Sequence, residues 1–156
     1  MVTSVSCKIS AIDFVRKLLG FCFVLFSAAL LAVDKPLAPE EVNGAHIITA
    51  EQVVNMLLAQ PDVVVIDSRK NSEYLKGHIE GAINLLNTEM QLSDLTSIAS
   101  DKKQAIIFYC NGERCLRSSD AASKAISWGY KNVFWFRGGW KEWSDKRLPV
   151  ATDEKK

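Results

Sequence analysis

Ala105-Ile106-Ile107-Phe108-Tyr109-Cys110-Asn111-Gly112-Glu113-Arg114-Cys115-Leu116-Arg117-Ser118 is the stretch on which the fold turns. Ala105 to Tyr109 is apolar at every position, with none of the alternation of a half-exposed strand. A strand of this kind is apolar on both faces and belongs inside a parallel sheet covered by helices. It runs straight into Cys110 and an eight-residue loop, 110–117, CNGERCLR. Ser118 to Trp128 then has helical spacing, with Ala121, Ala122, Ala125 and Ile126 on one face, and Gly129 is placed to end it. The unit is therefore strand, loop, helix.

The flanking sequence repeats this alternation. Val63-Val64-Val65-Ile66 is a second buried-type strand ending in Asp67-Ser68-Arg69, and Val133-Phe134-Trp135-Phe136 is a third. Upstream, Ile47-Ile48 is a short first strand. Thr49-Ala50-Glu51-Gln52 is a capping box that opens a helix with Val53, Met56 and Leu57 on one face, stopping before Pro61. Residues 71–76 form a short helical stretch, and 77–84 form a turn feeding a short strand. Residues 88–99, with Met90, Leu92, Leu95 and Ile98, are weakly helical. Arg137-Gly138-Gly139 turns into a last helix, Trp140 to Ser144. Strands alternating with helices predict an α/β domain with a mainly parallel central sheet and helices on both faces.

At 156 residues the chain fits one domain plus a leader. The domain is large enough to bury a core without disulfide staples. A formal net charge of +1 leaves no basic surplus for phosphates and argues against nucleic acid as a partner. Lys8, Arg16 and Lys17 precede Leu18 to Val33, a run without charge that Asp34 and Lys35 close. Basic then apolar, with small residues at its end, this run has the parts of a secretory signal and falls short of the roughly 20 residues of a spanning helix. Residues 1–32 are accordingly expected to be a cleaved signal or an N-terminal anchor, and the domain to be exported, in the bacterial periplasm. The membrane would be a partner only through an uncleaved leader. Residues 33–45, with two prolines and a glycine, are expected as a linker, 46–150 as the domain and 151–156 as a charged tail. Of four cysteines, Cys7 and Cys22 fall in the leader, while Cys110 and Cys115 share the loop. In an oxidising compartment such a pair can form a disulfide.

Sites in open α/β sheets lie at the carboxyl ends of strands, where Cys110 sits. The loop lies over a helix N-terminus, whose free amides and dipole attract anions and lower a cysteine pKa. Gly112 lets the loop turn inward, and Arg114 and Arg117 add positive charge. A cysteine in this place also serves simply as a small buried residue, and the loop alone leaves both readings open.

Taken together, Val65-Ile66-Asp67-Ser68-Arg69, Gly77-His78-Ile79-Glu80-Gly81-Ala82-Ile83-Asn84, Phe108-Tyr109-Cys110 and Phe136-Arg137-Gly138-Gly139-Trp140, with Trp143 and Leu148-Pro149, resemble the rhodanese family in order and spacing over about residues 46–150. The resemblance implies a rhodanese-like fold and a sulfurtransferase. Cys110 would take a sulfane sulfur from thiosulfate or a persulfide and pass it to a thiol or cyanide, with neither metal nor organic cofactor. The loop residues Asn111, Gly112, Glu113, Arg114, Cys115, Leu116 and Arg117 would cradle the substrate. Partners would be a small sulfur-containing anion or a low-molecular-weight thiol, or else a protein thiol or reductant.

The remaining matched residues are expected to support the structure. Asp67 would bond loop amides, Arg69 would pair with Glu73, and His78 would be a hydrogen-bonded turn residue. His46 has no evident metal-site partner, and Trp128, Trp135, Trp140 and Trp143 are expected to pack the core and its lid.

The loop departs from the family's short members in being about two residues longer before the Arg117-Ser118 pair. The Cys-Asn-Gly-x-x-Cys arrangement is similar to that of a smaller exported group with a second loop cysteine. Cys110 to Arg117 does not match the Cys-x5-Arg loop of the related phosphatases and arsenate reductases. Two alternatives to sulfur transfer stay open: a thiol redox protein cycling a Cys110–Cys115 disulfide, with Cys115 as resolving thiol, or an inert rhodanese-like binding module.

Overall fold

The computed structural model describes residues 37–153. The expected leader, Cys7 and Cys22 lie outside them, as do the first residues of the expected linker and the last three of the tail. Among the described residues no helix is long and apolar enough to cross a membrane.

The sheet is built from β1 (Ala45–Ile47), β2 (Val64–Asp67), β4 (Ile83–Asn84), β5 (Ala105–Tyr109) and β6 (Asn132–Phe136), in the order β1-β6-β5-β2-β4. Every neighbouring pair is parallel. The two most apolar runs, β5 and β6, occupy interior positions, where both faces are covered. In β5, Ile106 and Phe108 join one core, with Ala121, Ala122 and Ala125 of α4 (Arg117–Ser127) and Leu95 of α3 (Leu92–Ile98). Ile107 and Tyr109 join the other, with Val53 of α1 (Ala50–Ala59) and Trp143 of α5 (Gly139–Asp145). Successive residues of one strand thus feed opposite cores, the period-two rule of a pleated strand covered on both sides. The expected α/β fold with helices on both faces is what forms.

Local signals act as physical chemistry predicts. The Thr49 hydroxyl accepts from the Gln52 amide while the Gln52 side chain accepts from the Thr49 amide, closing the capping box of α1. At the end of α4 the Gly129 amide donates to the Ile126 carbonyl and the Tyr130 amide to that of Ala125, the paired bonds of a Schellman ending. The short helix α2 (Asn71–Tyr74) follows β2.

Two expectations need correction. The segment taken for a linker is bound to the domain from Ala38 onward. Ala38 and Val42 are buried in the α4-side core, and Arg137 donates to the carbonyls of Ala38 and Pro39. The charged tail begins as structure: β7 (Val150–Ala151) pairs antiparallel with β3 (His78–Ile79), and the Asp153 amide donates to the Leu75 carbonyl. The weakly helical pattern of 88–99 condenses into α3, with Leu95 buried and Leu92 exposed in its first turn.

Candidate functional site

Cys110 directly follows β5, and the loop crosses from there to the first turn of α4. Its path is fixed by bonds from other elements. The amides of Trp140 and Lys141, at the start of α5, donate to the carbonyls of Cys110 (2.7 Å) and Asn111 (3.0 Å). The Ala38 amide donates to the Glu113 carbonyl at 2.7 Å, and the Cys115 amide closes a turn on Gly112. By contrast, the amides of Asn111, Gly112, Glu113, Leu116 and Arg117 donate to no described residue. Among the described residues the loop thus keeps unpaired donors between Cys110 and the start of a helix, the combination that attracts an anion.

Two glycines make this packing possible. Gly112 has φ +147° and approaches the Gly138 carbonyl. Gly139 has φ +56°, and a side chain there would run into the Cys110 carbonyl. Only a residue without Cβ lets α5 come close enough to hold the loop.

Cys110 and Cys115 are joined by a disulfide with Cα atoms 6.1 Å apart, inside the usual span for such a bridge. Cys110 is 1% exposed and Cys115 9%. An open cleft of about 970 Å³ lies over the loop, lined by all seven residues from Asn111 to Arg117. Lys141, Glu142 and Asp145 of α5, and Lys146 just after it, also line the cleft. Cys115 is the bridge residue on the cleft wall, and Cys110 lies beneath it. Sequence reasoning did not find the α5 wall; the signal available was the Gly138-Gly139 pair that starts this helix so near the loop.

Glu73, on α2, organises the loop's charge. Its Oε1 accepts from Asn111 Nδ2 at 2.8 Å, and its Oε2 pairs with Arg117 Nη1 at 3.4 Å. Burial would raise the Glu73 carboxyl, but the Asn111 and Lys70 hydrogen bonds and the Arg117 and Arg69 charges outweigh it and hold the group below the usual carboxylate range. Arg117 Nε in turn donates to Cys115 Sγ at 3.4 Å. Glu113 pairs with Arg137 at 3.0 Å.

The expected supports are present with different partners. Asp67 does not bond the loop amides. Its carboxylate takes the Arg69 amide and guanidinium and the Tyr109 hydroxyl. Arg69 pairs with Asp67 at 2.6 Å instead of with Glu73, donates to the Gly77 carbonyl and stacks over Trp140 at 4.4 Å. The reason is position: Arg69 precedes α2, so the i,i+4 geometry that would bring it to Glu73 does not apply, and its side chain folds back on the strand end. His78 is buried in β3, stacked on Tyr74, with Nδ1 3.0 Å from the Tyr74 carbonyl. Trp135 and Trp143 are core residues, and His46 contacts Phe134.

A family model described as the Rhodanese-like domain matches residues 49–146. YibN, an uncharacterised protein of Escherichia coli K12, is 33% identical over 129 residues, covering 82% of this chain and 87% of its own length. The tRNA uridine(34) hydroxylase of Yersinia enterocolitica is 33% identical over 107 residues, which is 67% of this chain and 30% of that protein. Among solved structures, a thiosulfate sulfurtransferase from Pseudomonas aeruginosa superposes with a TM-score of 0.60 at 22% identity, covering 73% of this chain and 21% of that one. At that identity the likeness is one of fold.

Proposed function

The chain belongs to the rhodanese-like domain family, and from that premise we propose that it is a sulfurtransferase working through Cys110. With the bridge reduced, the Cys110 thiolate attacks the outer sulfur of thiosulfate. A bond forms from Cys110 Sγ to that sulfur, the S–S bond of thiosulfate breaks, and sulfite leaves with the electron pair. A low-molecular-weight persulfide serves as donor in the same way, its thiolate leaving. An acceptor thiolate or cyanide then takes the outer sulfur and returns the Cys110 thiolate.

One observation carries this reading: Cys110 directly follows a central strand and opens a loop, leading to the start of α4, whose amides at 111, 112, 113, 116 and 117 donate to no described residue. Such amides stabilise a thiolate and the anion that attacks or leaves it. The partners proposed are a small sulfur anion or low-molecular-weight thiol, and a protein thiol or reductant. An exported location is proposed on the basic and then apolar leader. The hydroxylase named above is more than three times as long as the segment it shares with this chain, and no activity is carried over from it.

The test is intact-mass analysis of the full chain carrying Cys115→Ser, reduced, freed of reductant and given thiosulfate, beside the same chain carrying Cys110→Ser. The expected result is a gain of one sulfur atom that cyanide discharges as thiocyanate and that Cys110→Ser lacks. Absence of any gain while Cys110 remains alkylatable overturns the reading. A thiol redox role is the second reading, favoured by the Cys110–Cys115 bridge itself.

A further inference from the structure

Sulfur transfer needs Cys110 as a thiolate and has no use for a bridge that blocks it. Yet Cys115 sits within bonding distance of Cys110, on the cleft wall, with Arg117 Nε donating to its sulfur. Resting on the sulfur-transfer reading, we infer that Cys115 resolves the Cys110 persulfide and gives the protein a second activity, the dithiol-dependent reduction of sulfane sulfur to sulfide.

The step balances without an outside oxidant. The Cys115 thiolate attacks Cys110 Sγ of the neutral persulfide. The Cys110–Cys115 bond forms, the bond from Cys110 Sγ to the outer sulfur breaks, and hydrosulfide leaves carrying the persulfide proton. The outer sulfur gains two electrons and the two cysteines lose them. The bridge in the structure joins Cys115 to Cys110 Sγ itself, so the inner sulfur is the one within reach and the outer one is the leaving group. A neighbouring guanidinium favours the thiolate that must attack. Because the two thiols share one short loop, the attack is intramolecular and needs no encounter with an acceptor.

The cycle then requires a dithiol reductant, small or protein-borne. Its first thiolate attacks Cys115, the more exposed residue of the bridge, and expels the Cys110 thiolate, ready for another donor. Its second thiol releases the mixed disulfide, leaving Cys115 as a thiol and the reductant oxidised.

The experiment uses the full chain carrying Cys7→Ser and Cys22→Ser, so that the loop thiols are the only ones. The protein is reduced, freed of reductant and given an equimolar amount of thiosulfate or, separately, glutathione persulfide. The expected result is sulfide in an amount equal to the protein, with both loop thiols lost to alkylation and the mass of the bridged form. Adding a dithiol makes sulfide release continue until that dithiol is consumed. In Cys115→Ser the added sulfur stays on the protein and no sulfide appears. Wild-type protein that holds its persulfide with Cys115 still alkylatable and no sulfide released overturns the inference while leaving sulfur transfer intact. Neither added sulfur nor released sulfide in either protein overturns both. The wild-type sulfide and thiol measurements decide the matter even where the serine variant does not fold.

Discussion

The Tyr109 hydroxyl donates to Asp67 Oδ2 at 2.5 Å and ties together the carboxyl ends of β5 and β2, the two strands that carry the candidate site. Burial, then the Asp67 charge, pushes the Tyr109 phenol far above its ordinary value of 10.0. Because the folded value is raised, the folded chain holds this proton more tightly than the unfolded one. The resulting stability is fully present below pH 10 and is lost as pH rises above it. Tyr109→Phe removes a hydrogen bond to a buried carboxylate and should cost about 1–3 kcal/mol at neutral pH. Wild-type stability should then fall more steeply than the variant's, by about 1.4 kcal/mol per pH unit, once pH passes 10. Urea unfolding of both proteins between pH 8 and 11 checks this, and parallel curves would refute it.

Asp67 and Arg69 are a buried pair, with side chains 0% and 2% exposed. Removing one partner strands the other charge in the interior, which typically costs about 3–5 kcal/mol. Asp67→Ala should therefore lower the urea midpoint more than Arg69→Met, which leaves Asp67 with Tyr109 as a donor. Equal losses would mean that Tyr109 does not support the carboxylate.

Gly139 makes a prediction about geometry more than stability. A methyl group at this position meets the Cys110 carbonyl, and φ +56° is unfavourable for any L side chain. Gly139→Ala should push α5 away from the loop and lower kcat/KM for sulfur transfer at least tenfold. Gly81→Ala is the control, because Gly81 also has positive φ but its added methyl meets nothing. It should show a modest stability loss and unchanged turnover.

Legibility in the sequence followed the strength of the local signal. β5 and β6 were plain because β-branched and aromatic residues run without interruption where both faces are covered. The α1 capping box was plain because its two hydrogen bonds need only residues 49 and 52. β3 and β7 were not, since two-residue strands show no period and their paired residues, Ile79↔Val150 and His78↔Ala151, lie far apart in the chain. Residues 38–45 looked like a linker on composition, but burying Ala38 and Val42 depends on the small alanines of α4, a tertiary fact. At the site, Cys110 and the loop were visible as a strand end with Gly and Arg. The links from Glu73 to Asn111 and Arg117 were not, because no spacing rule connects residues so far apart in the chain.

Arg117 offers the sharpest test of the loop's electrostatics, because its guanidinium lies between Glu73 Oε2 and Cys115 Sγ, both at 3.4 Å. A charge-assisted bond to a thiolate is worth about 1.5–3 kcal/mol, which corresponds to about one to two pH units in the thiol titration. In a Cys110→Ser background, where no bridge can form, the pH at which Cys115 is half alkylated should rise by that amount in Arg117→Gln. Arg117→Lys keeps the charge without the fork that reaches both partners, so it should restore part of the shift. Glu73→Gln removes the carboxylate that competes for the guanidinium, so the half-alkylation pH should move downward. These opposite signs separate an electrostatic role from simple loosening of the loop, which would raise alkylation rates at every pH and leave the midpoint where it was.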